Sequence, residues 1–167
     1  MRVFAVDKEN YKDFINHLNF KNKIIYELGI STGLRISDII RLKKHILSVK
    51  EPTIKEKKTK KSKRFYIKSD LRKDLIKIAE SSINEFIFYS AKSKSGHISR
   101  QAVWKAFKIA ANKANIKINI GTQSMRKRYA KNLNYNHSYK YNQNKLNHDN
   151  ISTAMLYCMD ERDFKNE

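Results

Sequence analysis

From Asp7 to Ser31 the apolar positions Phe14, Leu18, Ile24, Ile25 and Leu28 recur at spacings near three and four, the pattern of an amphipathic helix. The stretch Asn19 to Asn22 predicts a break into two helices. Gly29 and Gly33 flank Ser31-Thr32, which reads as a turn or helix end. Ser37 is placed to cap the following helix, with Ile39, Ile40 and Leu42 as its apolar positions. Between Leu47 and Lys68 the character changes: Pro52 punctuates, and Phe65-Tyr66-Ile67 favours a strand. Two or three short strands are expected there, with Lys55 to Arg64 as a hairpin tip. Helices follow: one capped by Ser69 with Leu71, Leu75 and Ile78 on one face, and one capped by Ser99 with a stripe of Ala102, Val103, Ala106, Phe107 and Ala110. A third, capped by Thr122, carries Met125, Tyr129 and Leu133, and two short ones cover Ser138 to Leu146 and Ile151 to Tyr157. The expectation is an α+β fold, predominantly helical, with a small antiparallel β-sheet of two to three strands.

Composition narrows the function. A chain of 167 residues fits one domain, and 40% hydrophobic residues suffice for a core. Only 4 Gly and 1 Pro favour long helices over a many-turned β-sandwich. Lys+Arg number 36 against 16 Asp+Glu, so the net charge is 36 − 16 = +20. A basic domain of this kind suits a polyanion, most commonly nucleic acid, although a Lys-rich solvated surface is the plainer reading. Cys158 is the one cysteine, which excludes an internal disulfide and suits a reducing cytosol. The N-terminal stretch has no apolar h-region, and no apolar run approaches the ~18 residues of a membrane span. A cytoplasmic, DNA-associated protein without membrane contact is expected. His17, His45, His97 and His137 show no metal-ligand spacing, so neither a metal nor another cofactor is expected.

Breaking a phosphodiester without a metal needs a nucleophile, positive charge at the non-bridging oxygens and an acid for the leaving oxygen. Arginine suits the second task because its guanidinium is planar, charged and bidentate to phosphate. Tyrosine can serve as the nucleophile if helped to lose its proton. Thr32-Gly33-Leu34-Arg35-Ile36-Ser37-Asp38 resembles the first arginine motif of the tyrosine recombinases, the phage-integrase family. Gly121-Thr122-Gln123-Ser124-Met125-Arg126-Lys127 resembles their second. Leu146-Asn147-His148, followed nine residues later by Tyr157, resembles their final histidine and nucleophile. Lys58-Thr59, before a basic turn and the expected strand Arg64 to Ile67, matches their β-hairpin lysine. Each motif alone is weak; four in order on a basic domain are specific.

The resemblance implies roles. Arg35 and Arg126 would hold the scissile phosphate, and His148 would hydrogen-bond it. Lys58 would protonate the leaving 5′ oxygen, with Lys57 or Lys60 as alternatives. Tyr157 would form a 3′-phosphotyrosine, and Asp38 would orient Arg35. Lys55, Lys57, Lys60, Lys61, Lys63, Arg64 and Lys127 are expected to grip DNA. Tyr129, Tyr135, Tyr139 and Tyr141 are candidates for core packing or backbone contacts. The implied partner is double-stranded DNA, with self-association on it.

Two departures stand out. Gln123 occupies the place, three residues before Arg126, where the family usually has a histidine. Glutamine cannot exchange a proton near neutral pH, so a slow enzyme is expected; the alternative is an inactive remnant that only binds DNA. The chain also reads as a single catalytic domain over 1–167, without the family's N-terminal core-binding domain. A basic RNA-binding protein is the further reading, with no RNA-binding motif to support it.

Overall fold

Asn19 divides the long N-terminal helical pattern. In the computed structural model, which describes residues 2–134 and 137–159, its side chain accepts the Asn22 N–H at 2.9 Å and so caps a new helix. Helix α1 therefore spans Lys8–Asn16 and α2 spans Phe20–Thr32. A short helix α3 (Ile36–Ile39) and a 3₁₀ turn (Lys44–Ser48) lead to strands β1 (Thr53–Lys55) and β2 (Ser62–Arg64). Helices α4 (Ser69–Glu80), α5 (Arg100–Lys113), α6 (Ser124–Asn134), α7 (Tyr139–Lys145) and α8 (Ile151–Cys158) follow.

The core lies where α1, α2 and α5 meet. Phe14, Tyr26 and Phe107 are fully buried, with Tyr26 edge-on to Phe107 at a centroid separation of 5.4 Å. Val103, Phe107 and Ala110 of the expected α5 stripe are buried; Ala102 is exposed, and Ala111 takes up the inner face instead. Ser99 caps α5 as expected, accepting from the Ala102 N–H.

The structure corrects several local expectations. The sheet has two strands, β1 and β2, paired antiparallel, and beyond it only isolated bridges, Lys43 with Phe86 and Tyr89 with His97, occur among the described residues. The second strand lies at Ser62–Arg64, ahead of the apolar Phe65 to Ile67. Those residues lie beyond the strand, although the Phe65 N–H still reaches Pro52 O at 3.1 Å; Phe65 and Ile67 are drawn into the core. Neither Ser37 nor Ser69 caps a helix: Arg35 and Lys68 hold those cap positions, without side-chain cap bonds. Helix α6 starts at Ser124, after Thr122, and the Ser124 hydroxyl accepts the Gly121 N–H. Gly29 is no turn residue. It lies within α2 at its contact with α6, where an added Cβ would meet Met125 Sδ at 2.2 Å. Gly33 does end α2, in the left-handed region at φ 63. Tyr135 and the segment from 160 to 167 lie outside the described residues.

Candidate functional site: two arginines, a buried carboxylate and a tyrosine

Three chain segments build the site. The left-handed turn at Gly33 stops α2 and places Arg35 at the head of α3, with its side chain 13% exposed. The β-hairpin supplies the second part. Its register pairs Ile54 with Lys63, and side chains of directly opposed residues share a face. Lys63 thus turns inward with Ile54, while Lys55 and Arg64 face solvent. The tip closes with Glu56 N–H donating to Lys61 O and Lys60 N–H to Glu56 O, both at 3.0 Å. Lys60 takes the left-handed position of this turn, at φ 59. The third part is α6 with the α7–α8 turn, which bring Arg126, His148 and Tyr157 together.

Arg126 is 1% exposed. It donates from Nη1 to Gly33 O and from Nη2 to Leu146 O, tying the α2 end to the α7 end. Its Nη2 also lies 3.2 Å from His148 Nε2. A guanidinium only donates, so this nitrogen of His148 accepts and the imidazole is neutral, with its proton on Nδ1. Burial first, then the charges of Arg126, Arg35 and Lys63, push His148 down to about 4. Burial and the neighbouring Arg35 lower Arg126 to about 10. The His148 ring lies edge-on to Tyr157 at 4.7 Å, and Arg126 Cζ is 5.9 Å from the Tyr157 ring centre. The Tyr157 hydroxyl donates to Gln123 Oε1 at 3.1 Å.

Glu56, 0% exposed, sits among these groups. Its Oε1 is 2.8 Å from Arg35 Nη1 and 3.9 Å from Arg126 Nη1. Its Oε2 accepts from Thr59 Oγ1 at 2.7 Å and Asn147 Nδ2 at 3.0 Å. Burial opposes its charge, but these two hydrogen bonds and the charges of Arg35 and Lys63 outweigh it and hold the carboxyl below its ordinary range.

Asp38, expected beside Arg35, lies within its electrostatic reach. Glu56 is the carboxylate paired with Arg35, while Asp38 Oδ1 accepts the Lys57 N–H at 2.9 Å and so pins the hairpin backbone. Burial raises the Asp38 carboxyl above its ordinary value.

A cleft of about 760 Å³ opens beside this cluster, lined by Arg35, Lys57, Lys58, Arg100, Trp104 and Gln123 among others. Lys60 does not line it. Lys55, Lys57, Lys60, Lys61 and Arg64 are exposed, with Lys61 paired to Asp149 at 2.6 Å and Arg64 to Glu51 at 2.6 Å. Lys63 and Lys127, grouped with them by sequence, are instead buried, each at 7% exposure. Lys63 Nζ donates to Gly33 O at 3.3 Å, and Lys127 Nζ lies 5.2 Å from the Phe4 ring centre. Burial and the charges of Arg126 and Arg35 lower Lys63 to about 7. Among the described residues no group of three or more His, Cys, Asp or Glu is gathered to hold a metal, and no helix is long and apolar enough to cross a membrane.

The structure thus brings Arg35, Arg126, His148, Tyr157 and Gln123 into one cluster, with Lys58 on the adjoining cleft. Sequence reasoning missed Glu56 and Asn147. The available signal was that Glu56 is the lone acid among the seven basic residues between Lys55 and Arg64.

Known proteins share both pattern and fold. The chain is 27% identical over 157 residues to "Probable integrase/recombinase YoeC" of Bacillus subtilis (strain 168), covering 89% of this chain and 83% of that protein. It is 28% identical over 164 residues to tyrosine recombinase XerD of Staphylococcus aureus (strain Mu50), covering 86% of this chain and 52% of XerD, about half its length. Its fold matches a lambda integrase dimer bound to a COC′ core site with a TM-score of 0.78 at 18% identity, over 96% of this chain and 61% of that one. The sequence profile of the Phage integrase family matches residues 5–162. With a helical domain, a two-stranded hairpin and relatives that are tyrosine recombinases, this chain belongs to the phage integrase family and has the tyrosine-recombinase catalytic-domain fold.

Proposed function

We propose that the chain is a site-specific DNA recombinase that cuts and rejoins double-stranded DNA through Tyr157, needing neither metal nor ATP. The observation that supports this reading is the meeting of Arg35, Arg126, His148 and Tyr157 in one cluster, beside a cleft that Arg35 and Lys58 line. Arg35 and Arg126 neutralise the scissile phosphate, whose charge grows at its equatorial oxygens as the nucleophile adds. The Tyr157 hydroxyl gives its proton to solvent water as its oxygen attacks phosphorus, and the bond to the 5′ oxygen breaks. Lys58, on the cleft wall, gives that oxygen its proton. The 3′-phosphotyrosine keeps the bond energy for religation by the reverse attack. His148, neutral in the free protein, gains a proton more readily once a phosphate anion arrives, and hydrogen-bonds that phosphate. Gln123 orients the Tyr157 hydroxyl but cannot take its proton, so cleavage is slow. The exposed lysines of the hairpin, together with Arg64, hold the DNA backbone, with affinity that falls steeply with salt. Self-association on DNA is part of this reading, supported by the lambda integrase dimer on its core site.

The test uses nicked duplexes tiled across the DNA flanking the gene. Wild-type protein is expected to form a covalent adduct that survives denaturation, and Tyr157→Phe to form none while binding the same duplexes. Absence of adduct from the wild type on every duplex would falsify the recombinase reading.

A further inference from the structure

Glu56 carries the same sign as a phosphate, yet it is buried and firmly anchored in the cluster. It receives hydrogen bonds from Thr59 of its own hairpin and from Asn147, next to His148. It faces Arg35 directly and Arg126 at longer range. Its carboxylate therefore joins all the segments that build the site. We propose that Glu56 is a positioning residue, which registers Arg35 and the Lys58 hairpin against Arg126 and His148; this rests on the recombinase reading above.

Two competing effects have to be weighed. A buried carboxylate repels an incoming phosphate. It also keeps Arg35 from swinging into solvent, and a long side chain held in one rotamer loses less freedom when the phosphate binds. The surroundings decide the balance. Arg35, Arg126 and Lys63 face Glu56, with Asp38 the other carboxyl close by, so the cations still outnumber the carboxylates with Glu56 ionised. The contact to Arg35 uses Nη1, and a guanidinium has five N–H donors, so others are left to meet a phosphate. Removing the carboxylate would add net positive charge but strand the Asn147 amide and the Thr59 hydroxyl, and free the hairpin tip. Positioning therefore outweighs repulsion.

Glu56→Gln keeps the size and part of the hydrogen bonding and removes the charge. In single-turnover cleavage of the tiled nicked duplexes, its saturating rate is expected to fall roughly 10–100-fold. The half-saturating DNA concentration should stay within about threefold, since the phosphate-binding cations are retained. The assigned Arg35 guanidinium protons of the free protein should lose their dispersion and slow exchange in the NMR spectrum. Thr59→Val, which removes one bond to Glu56, should lower the saturating rate less but in the same direction, and serves if Glu56→Gln does not fold. A variant that cleaves as fast as or faster than wild type overturns the proposal, because the carboxylate would then only compete with phosphate. So does a lowered unfolding midpoint with an unchanged saturating rate. If the wild type forms no adduct, the recombinase reading fails, and unchanged Arg35 signals in Glu56→Gln would separately defeat the positioning role.

Discussion

Replacing Lys63 by methionine should make this protein more stable. The ammonium is buried, and its surroundings include the charges of Arg126 and Arg35. Those conditions bring it from 10.5 to about 7. At about 1.36 kcal/mol per pH unit, holding the charged form inside costs up to roughly 5 kcal/mol. Local relaxation and the lost attraction between Lys63 and Glu56 absorb part of that ceiling. The Gly33 carbonyl that Lys63 meets also receives Arg126, so its loss orphans no acceptor. For a domain of this size Lys63→Met should therefore raise Tm by about 2–10 °C near neutral pH. The sign with pH is fixed as well. The folded value lies below the unfolded one, so between about 7 and 10.5 the unfolded chain binds a proton that the folded chain does not. Wild-type stability then rises with pH through that window, and the advantage of the methionine variant is full below it and shrinks towards its top. Thermal unfolding followed by circular dichroism at about pH 6 and about pH 9.5 measures both arms. A variant less stable at the lower pH, or one whose advantage does not shrink at the higher, refutes the reasoning.

Two further outcomes follow from geometry. Gln123→His puts an acid–base group beside the Tyr157 hydroxyl, and adduct formation should accelerate at least about tenfold; an unchanged rate would mean that proton removal does not limit cleavage. Gly29→Ala drives a methyl to 2.2 Å from Met125 Sδ and 2.9 Å from its Cβ, which should cost about 1–3 kcal/mol in urea unfolding. Because the Cβ contact stays, Met125→Ala should recover only part of that loss, and full recovery would disprove the clash with Met125 Cβ.

Local chemistry made much of this molecule readable in advance. Asn19 breaks a helix by capping the next one, and Ser99 caps α5, because each acts on an N–H three residues away. The arginines, His148 and Tyr157 carry their identity in short motifs. What escaped depends on distant chain. Gly29 reads as punctuation until Met125 arrives against it. Lys63 reads as one more exposed lysine until the pairing of Ile54 with Lys63 turns it inward. The polar Ser62–Arg64 outcompetes Phe65 to Ile67 as the strand, since burial claims Phe65 and Ile67 while the ladder only needs backbone. Glu56 sits in a run that reads as solvated charge, and only Arg35 and Asn147, both remote in sequence, reveal its burial.

The two main-chain carbonyls held by Arg126 bear on how loss-of-function variants are interpreted. This arginine fastens the end of α2 to the end of α7, so it is a rivet of the tertiary structure as well as the proposed cation for phosphate. An Arg126→Ala protein that cuts no DNA would report a sprung joint and a missing charge together. Tyr157 is the cleaner witness of the proposed chemistry: Tyr157→Phe removes the hydroxyl that donates to Gln123 and keeps the ring beside His148 and Arg126.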